Sequence, residues 1–523
     1  MSFHGTLFGF QQLAVDRVLE RRKLLVAYDM GLGKTVITIA AIESLIDDGK
    51  VEAGLVICSA SLQFQWKKAI AQFTKGEAEA LVITGTPAQR ARQYHIARYE
   101  QVEYIILTYD QIRNDWQFVR DLPRDFMVLD EATAIKSFKA KRSKKVKSLD
   151  APYKLALTGQ PIENRAEEVY SIMEWVDPTV LGRWDLFDTA FIKRNFHGGV
   201  QYYKNLPALH RRLSEAMVRK NRDDPDVRDQ LPKVTEELLL IDFDRSGAKL
   251  YRHIAAELLE EIENAVSMMG NFNPWALYHG GSEEENAMRG KIMSKLLCLR
   301  MLCDHPQLLE ISAAHFESGK MGSEYANELV GMGMLEAIKA TPKLDATLDL
   351  IGSILATEGS KIVLFSFFKA TLGILQEALW KGTSEFPPVD SVQFTGDMSA
   401  RQRDEAKARF QTDPECRVFL SSDAGGYGVD LPQANYLINY DLPWSSGKLE
   451  QRNARIRRLS SEWEAITVLN MLMAGSIEER QYAMLEQKHA IASAIVDGKG
   501  IDKKGRLTLD LASLSSFLGD NEV

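Results

Sequence analysis

KLLVAYDMGLGKTVITIAAIESLI, residues 23–46, decides how the rest of the chain is read. It opens on consecutive apolar residues, as expected of a strand buried on both faces. The strand runs directly into a glycine-bearing turn and then a helical pattern. Gly31 and Gly33 let the backbone curl so that its amides point inward, while the following helix offers its positive end to an anion. Lys34 in such a loop reaches β- and γ-phosphates, and the Thr35 hydroxyl can ligate Mg²⁺. The full GxxxxGK[ST] pattern would place Gly where Tyr28 stands, so only the GKT half matches strictly. The position at a strand–helix junction is what makes this a nucleotide site, with Mg²⁺ as the metal the Thr35 hydroxyl implies.

Downstream, DFMVLDEAT ends an apolar run in Asp130–Glu131, 96 residues beyond Lys34. A strand end brings both carboxylates to the carboxyl edge of a sheet, beside the phosphate loop. Asp130 is assigned to the metal and Glu131 to the attacking water. Further runs, GLVICSA, ALVIT, EYIILTY and YKLALTG, alternate with helical patterns, which predicts a parallel sheet covered on both sides. The same grammar returns after Ser360 in KIVLFSFF, SVQFTG, CRVFLSS, NYLINYD and AITVLNML. Two α/β units are therefore expected. Between them, about 177–350 reads as helix-rich and outside both sheets, with amphipathic segments at 248–268 and 287–302 and loops at 270–274 and at GGSEEEN. The helical stretch 477–496 is read as a brace between the units, followed by a loosely held polar tail.

Composition narrows the classes. The chain has 523 residues, 45% apolar and 26% charged, with a net charge of −8. That excludes wholesale disorder and a globally basic nucleic-acid coat, though not a local basic patch. The four cysteines form no CxxC pair, against a zinc site or disulfide scaffold. No secretory signal or ~20-residue apolar span is visible, so a cytoplasmic protein without a membrane partner is expected.

DMGLGKT, DEATAIKS and LTGQPIENRAEEVYSIMEW, in this order, resemble motifs I, II and III of superfamily-two helicases in their SWI/SNF-type form. Phe10–Gln11 resembles the adenine-reading segment, GLVICSASLQFQWKKAI motif Ia, ILTYDQIRN motif Ib, LRMLCDHPQLL the block between the lobes and KIVLFSFF motif IV. SSDAGGYGVDLPQANYLINYDLPW resembles motif V and QRNARIRR motif VI. Thr133, Gln160, Glu163 and Asp430 depart from the usual residues, and Thr133 stands where a His helps couple hydrolysis to motif III.

The resemblance implies an α/β fold of two RecA-like lobes (1–176 and 351–475), a helical insertion (177–350), and a brace helix with tail (476–523). ATP would lie between the lobes, with Gln11, Gly31, Gly33, Lys34, Thr35, Gly428 and Asp430 around it. Arg455 and Arg458, three apart on a predicted helix and so on one face with Gln451, would stabilise the transferred phosphoryl group. Backbone grips on nucleic acid would be Ser59, Ser61, Thr108, Ser366, Ser421 and Ser422. The basic run IKSFKAKRSKKVKS, with Lys136, Lys139, Lys141, Arg142, Lys144, Lys145 and Lys147, is read as a duplex-backbone contact. Trp66 and Trp444 are read as packing residues, and Cys303 with His305 as interlobe structure rather than a metal pair. The expected activity is ATP-driven translocation on double-stranded DNA by a monomer that remodels an unknown DNA-bound protein. A strand-separating DNA or RNA helicase is the alternative, and a slow or non-hydrolysing clamp a third. The absence of reader modules points to a bacterial or phage-infected cell before a nucleus.

Overall fold

The computed structural model describes residues 2–138, 140–194, 200–269, 283–382, 387–423, 429–498 and 507–508. Every apolar run quoted above forms a strand. In the first lobe β1 (Lys23–Tyr28), β2 (Gly54–Cys58), β3 (Ala80–Val82), β4 (Tyr104–Thr108), β5 (Phe126–Asp130) and β6 (Tyr153–Leu157) lie in one parallel sheet. Alternate residues feed opposite cores: Leu24 and Val26 pack on one face, Leu25 and Ala27 on the other. Burial of both faces is why these strands read as unbroken apolar runs.

The segment expected to stand outside both sheets contributes a strand to each. After a small antiparallel ribbon of β7 (Ile192–Arg194) and β8 (Val200–Tyr203), β9 (Met217–Lys220) pairs with β1 and completes the order β3-β4-β2-β5-β6-β1-β9. β10 (Lys233–Ile241) crosses to the second lobe and pairs along its whole length with β15 (Ala465–Met473). The second sheet has the order β10-β15-β14-β11-β13-β12, with β11 (Ile362–Ser366), β12 (Ser391–Phe394), β13 (Val418–Ser422) and β14 (Tyr436–Asn439). Both added strands are sheet edges, which need no two-sided apolar pattern: β9 reads MVRK, and β10 carries Glu236 and Glu237 with several exposed residues. β16 (Leu507–Thr508) extends the small ribbon through β8.

The helix-rich part of the insertion comprises Arg245–Met269, Glu283–Asp304, Gln307–Glu317 and Glu324–Gly331, gathered around Leu250, Ile254, Leu299 and Leu309. The GGSEEEN stretch is helical from Glu283 on, and the loop expected at 270–274 lies outside the described residues. The helix Ile477–Val496 contacts both lobes. Ile477 sits in the core of the helical insertion beside Met473 of β15, Leu485 packs on Leu442 and Leu472, and Ile491, Ile495 and Val496 enter the core of the first lobe. Among the described residues no helix is long and apolar enough to cross a membrane.

Candidate functional site

The carboxyl ends of β1 and β5 converge at the cleft between the lobes. Gly31 and Gly33 take φ of 84° and 82°, the left-handed region that favours glycine. Both are also pressed from outside. A Cβ at Gly33 would lie 2.3 Å from Gln11 Nε2, and one at Gly31 would lie 3.0 Å from Cδ of Arg458, a residue of the opposite lobe. Tyr28, in place of the pattern's first glycine, turns its ring into the core and donates its hydroxyl to Phe10 O at 2.6 Å. The loop therefore obtains its curvature from the two later glycines alone.

Lys34 opens the helix Lys34–Asp47, and its Nζ donates to Tyr28 O at 2.8 Å and Asp29 O at 3.3 Å. Burial lowers its pKa to about 8, against the pull of Glu131, Asp130 and Asp29. Thr35 is half-buried in the first turn of that helix. Gln11 is buried, with its carbonyl taking the Phe8 N–H at 3.0 Å and its amide donating to Leu32 O at 3.1 Å, so it braces the phosphate loop directly.

Asp130 ends β5 with both oxygens engaged: Oδ2 accepts the Trp66 indole N–H at 2.8 Å and Oδ1 accepts the Glu131 N–H at 3.0 Å. Burial raises its pKa, opposed first by Trp66. Glu131 adopts φ 52°, ψ 59°, a left-handed backbone unusual for a residue with a Cβ, of the kind that clusters at functional sites. Its Oε2 is buried without a hydrogen-bond partner, and burial, then the neighbouring Asp130 charge, push its pKa up to about 7. A carboxylate so placed suits proton acceptance near neutrality. Thr35 and Asp130 also suit Mg²⁺, which is ordinarily held by one or two protein oxygens plus phosphates rather than by a protein cage.

The second lobe reaches this site through a turn, not a helix face. The helix Ser446–Asn453 stops before Arg455, so Arg455 and Arg458 do not share a helical face with Gln451, which is half-buried in that helix's last turn. The turn is fixed because the Arg455 N–H bonds Arg452 O at 3.0 Å, while Arg455 O is spent on the Leu431 N–H at 3.0 Å. Of the two, Arg458 reaches the nucleotide loop, while Arg455 donates to Val429 O at 3.3 Å within its own lobe. Arg458 lies against Gly31, and the charge of Arg455 acts on Glu131. Asp430, expected to touch the nucleotide, instead pairs with Arg458 at 2.6 Å. Gly428 lies outside the described residues.

The 160–163 loop of the first lobe docks on the start of the same helix. Ser446 Oγ donates to Glu163 O at 3.4 Å, and a Cβ at Gly447 would lie 2.4 Å from Gln160 Oε1. Cross-lobe ion pairs also join Arg457 to Asp223 at 3.0 Å and Arg222 to Glu450 at 3.6 Å.

The residues expected to grip nucleic acid separate into two groups. Ser59 and Ser61 are accessible and share a hydrogen bond at 2.9 Å, and Thr108 caps the helix Tyr109–Asn114. Ser366, Ser421 and Ser422 are buried, and Ser366 donates to Asp441 at 2.6 Å, so these three do not present hydroxyls at the surface. In the basic run, Lys141 and Lys144 are exposed on the helix Lys141–Lys147. Lys136 and Lys147 pair with Glu163 and Glu174, Arg142 lies over Tyr109 and Lys145 over Trp116. Lys139 lies outside the described residues. Cys303 is core, Trp444 stacks near Arg300, and among the described residues no group of three or more His, Cys, Asp or Glu is arranged to hold a metal ion.

Sequence reasoning missed two things here. Trp66 does pack, but it also orients Asp130. Behind the loop, Asp29 is clamped by Arg219 at 2.6 Å and by the Arg222 N–H at 3.0 Å, contacts some 190 residues apart in sequence that no local pattern could signal. Burial pulls the Asp29 pKa up, yet the two arginines hold it below the usual carboxylate value.

Comparison with known proteins matches the two lobes to two families. The SNF2-related domain matches residues 12–308 and the helicase conserved C-terminal domain residues 342–460. The chain is 25% identical over 504 residues to protein YwqA of Bacillus subtilis (strain 168), covering 95% of this chain and 50% of that one. It is 26% identical over 544 residues to TATA-binding protein-associated factor 172 of Homo sapiens, covering 95% and 28%. The chain thus spans half or less of the length of these two relatives. The Hef helicase domain of Pyrococcus furiosus shares the fold, with a TM-score of 0.54 at 15% identity over 91% of this chain and 98% of that one.

Proposed function

Since the chain belongs to the SNF2-related family of helicase superfamily two, we propose that it is an ATP-driven translocase on double-stranded DNA that remodels a DNA-bound protein. The observation that carries this reading is the cross-lobe approach: the Arg458 side chain lies where a Cβ on Gly31 would meet it at 3.0 Å, over the phosphate loop. Hydrolysis would then depend on lobe closure, because the groups that bear phosphoryl charge come from the far lobe. The name of YwqA pairs helicase with translocase, in keeping with a motor.

In this scheme the loop amides at Gly31 and Gly33 and the ammonium of Lys34 bind the β- and γ-phosphates. Thr35 and Asp130 would hold Mg²⁺, which when bound neutralises phosphate charge. Glu131 accepts a proton from the attacking water, and Arg455 and Arg458 stabilise charge on the transferred group. Accessible Ser59, Ser61, Lys141 and Lys144 would contact the DNA backbone, which carries no sequence information.

The test is ATP turnover with duplex DNA, single-stranded DNA or RNA, together with triplex displacement. Duplex-stimulated turnover that displaces a triplex without releasing single strands is expected. Stimulation by RNA alone would remove the proposal, and released strands would replace translocation with unwinding.

A further inference from the structure

The helix Ile477–Val496 is rooted in the second lobe. There Glu478 pairs with buried Lys343 at 2.6 Å, Gln481 donates to Leu442 O at 2.7 Å, and Lys488 donates to Trp444 O at 2.9 Å. With 20 residues it is roughly 30 Å long, enough to reach across to the first lobe. It ends behind the phosphate loop. Ile495 O faces His210 Nδ1 at 3.2 Å, and the carboxylate of Asp497, the residue capping the helix, accepts from Arg219 Nε at 2.7 Å and Asn221 Nδ2 at 3.2 Å.

Arg219 sits in β9 beside Ala27 of β1, and its Nη1 turns away from Asp497 toward the start of the phosphate loop. Its Nη1 donates to Ala27 O at 2.8 Å and Asp29 Oδ1 at 2.6 Å, the two residues flanking Tyr28 at the start of the loop, and lies 3.3 Å from Gly159 O. The guanidinium fork thus ties three elements: the phosphate loop, the loop after β6, and the end of the helix from the other lobe. Arg219 and Asp497 are both largely buried, with side chains 17% and 12% exposed. Taking Asp497 away would leave Arg219 one carboxylate, Asp29, and draw the fork toward the loop it now holds in place. A planar, rigid fork transmits such a shift because its donors cannot re-aim independently.

We propose that Asp497 is a positioning residue for the phosphate loop, acting through Arg219, so that nucleotide affinity and the seating of this helix end on the first lobe are energetically coupled. The proposal rests on the reading of the loop as a nucleotide site. Coupling of this kind is reciprocal: whatever factor the seated helix adds to nucleotide binding, bound nucleotide adds to the seating of the helix.

The test uses the full chain, a fluorescent ATP analogue with Mg²⁺, and amide hydrogen exchange over residues 491–497. Asp497→Ala is expected to weaken analogue binding about five- to tenfold, and Asp497→Asn, which keeps an acceptor, by less. In the unsubstituted protein the analogue should slow exchange of 491–497, and in Asp497→Ala that slowing should vanish while the melting transition stays cooperative. A role confined to packing would lower the melting temperature without linking exchange to nucleotide. Analogue binding at full affinity in both variants overturns the proposal, as does exchange at 491–497 that ignores the analogue in the unsubstituted protein. The latter measurement decides the matter even if Asp497→Ala does not fold. An unsubstituted chain that binds no analogue would instead take down the nucleotide reading itself, and this proposal with it.

Discussion

The pH dependence of turnover tests the electrostatics of the cleft most directly. Burial and then Asp130 push Glu131 up to about 7, and burial brings Lys34 down to about 8, so their titrations fall side by side. In the proposed scheme turnover needs Glu131 ionised to accept a proton and Lys34 protonated to bind phosphate. With those two values, about three-fifths of the free protein carries that charge state near pH 7.5, and about one-tenth at pH 6 or pH 9. The kcat/KM profile, which reports the free protein, should therefore be a narrow bell falling roughly sixfold on each side. Because the two groups interact, its limbs belong to the pair rather than to either residue. The kcat profile should move to higher pH as a whole, since phosphates beside either group favour its protonated form. Initial rates at sub-saturating ATP with duplex DNA, in mixed buffers of constant ionic strength, give the measurement. Lys34→Arg, permanently charged, should erase the alkaline limb in whatever turnover survives. A plateau from pH 6 to 9, or an acid limb at the ordinary glutamate value, would refute the reasoning. The same shift carries a stability sign. The folded state holds a proton on Glu131 more tightly than the unfolded chain does, so this group's contribution is fullest below the unfolded value of about 4.3 and is lost as pH rises through about 7.

Arg458→Ala should spare analogue binding and lower kcat by roughly 10³–10⁵, as removal of an arginine finger does; wild-type turnover would exclude it from the reaction. Trp66→Phe leaves a buried Asp130 oxygen without its donor and should cost about 1–3 kcal/mol in denaturant unfolding, with weaker Mg²⁺-dependent analogue binding. A lowered midpoint with unchanged Mg²⁺-dependent analogue binding would show that the indole only packs. Lys141→Ala with Lys144→Ala should weaken duplex binding and flatten the dependence of log K on log salt by about 1.8, at about 0.9 for each phosphate no longer neutralised. An unaltered slope would remove that helix from the DNA surface.

What could be read in the chain followed from how much of each element is buried. β1, β2, β5 and β11 are covered on both faces, and a run of consecutive apolar side chains states that directly. β9 and β10 escaped because an edge strand is exposed along one side: Lys220 of β9 pairs with Asp226 at 2.7 Å, and β10 keeps Leu238 and Leu240 exposed. Local patterns also put Lys34 and Thr35 at the start of a helix after β1, and Asp130 and Glu131 at the end of β5, where the structure places them. They misplaced Ser366, since a serine at a strand end reads alike whether its hydroxyl meets a phosphate or, as here, Asp441. Spacing misled at Arg455 and Arg458, where an i, i+3 pattern suggested a continuing helix. The helix gives way where the Arg455 N–H turns to Arg452 O, three residues back, and the turn is then held by the Leu431 N–H on Arg455 O, a contact from another loop.

Those long-range contacts also give Asp430 a different role from the one its motif suggested. Its carboxylate holds Arg458 at 2.6 Å from within the same lobe, while the arginine's aliphatic stem rests against Gly31 of the other. A γ-phosphate on that loop would compete with Asp430 for one guanidinium. The side chain of Asp430 is 41% exposed, so its grip is weakened by solvent, whereas a phosphate seated on the loop amides would meet Arg458 in a drier setting. The exchange of partners therefore favours phosphate only when the lobes are close enough to exclude water. In the proposed scheme that would link the charge stabilisation needed for hydrolysis to the closure itself: Asp430 would keep Arg458 aimed across Gly31, and the same approach of the lobes that dries the cleft would release it to the phosphate.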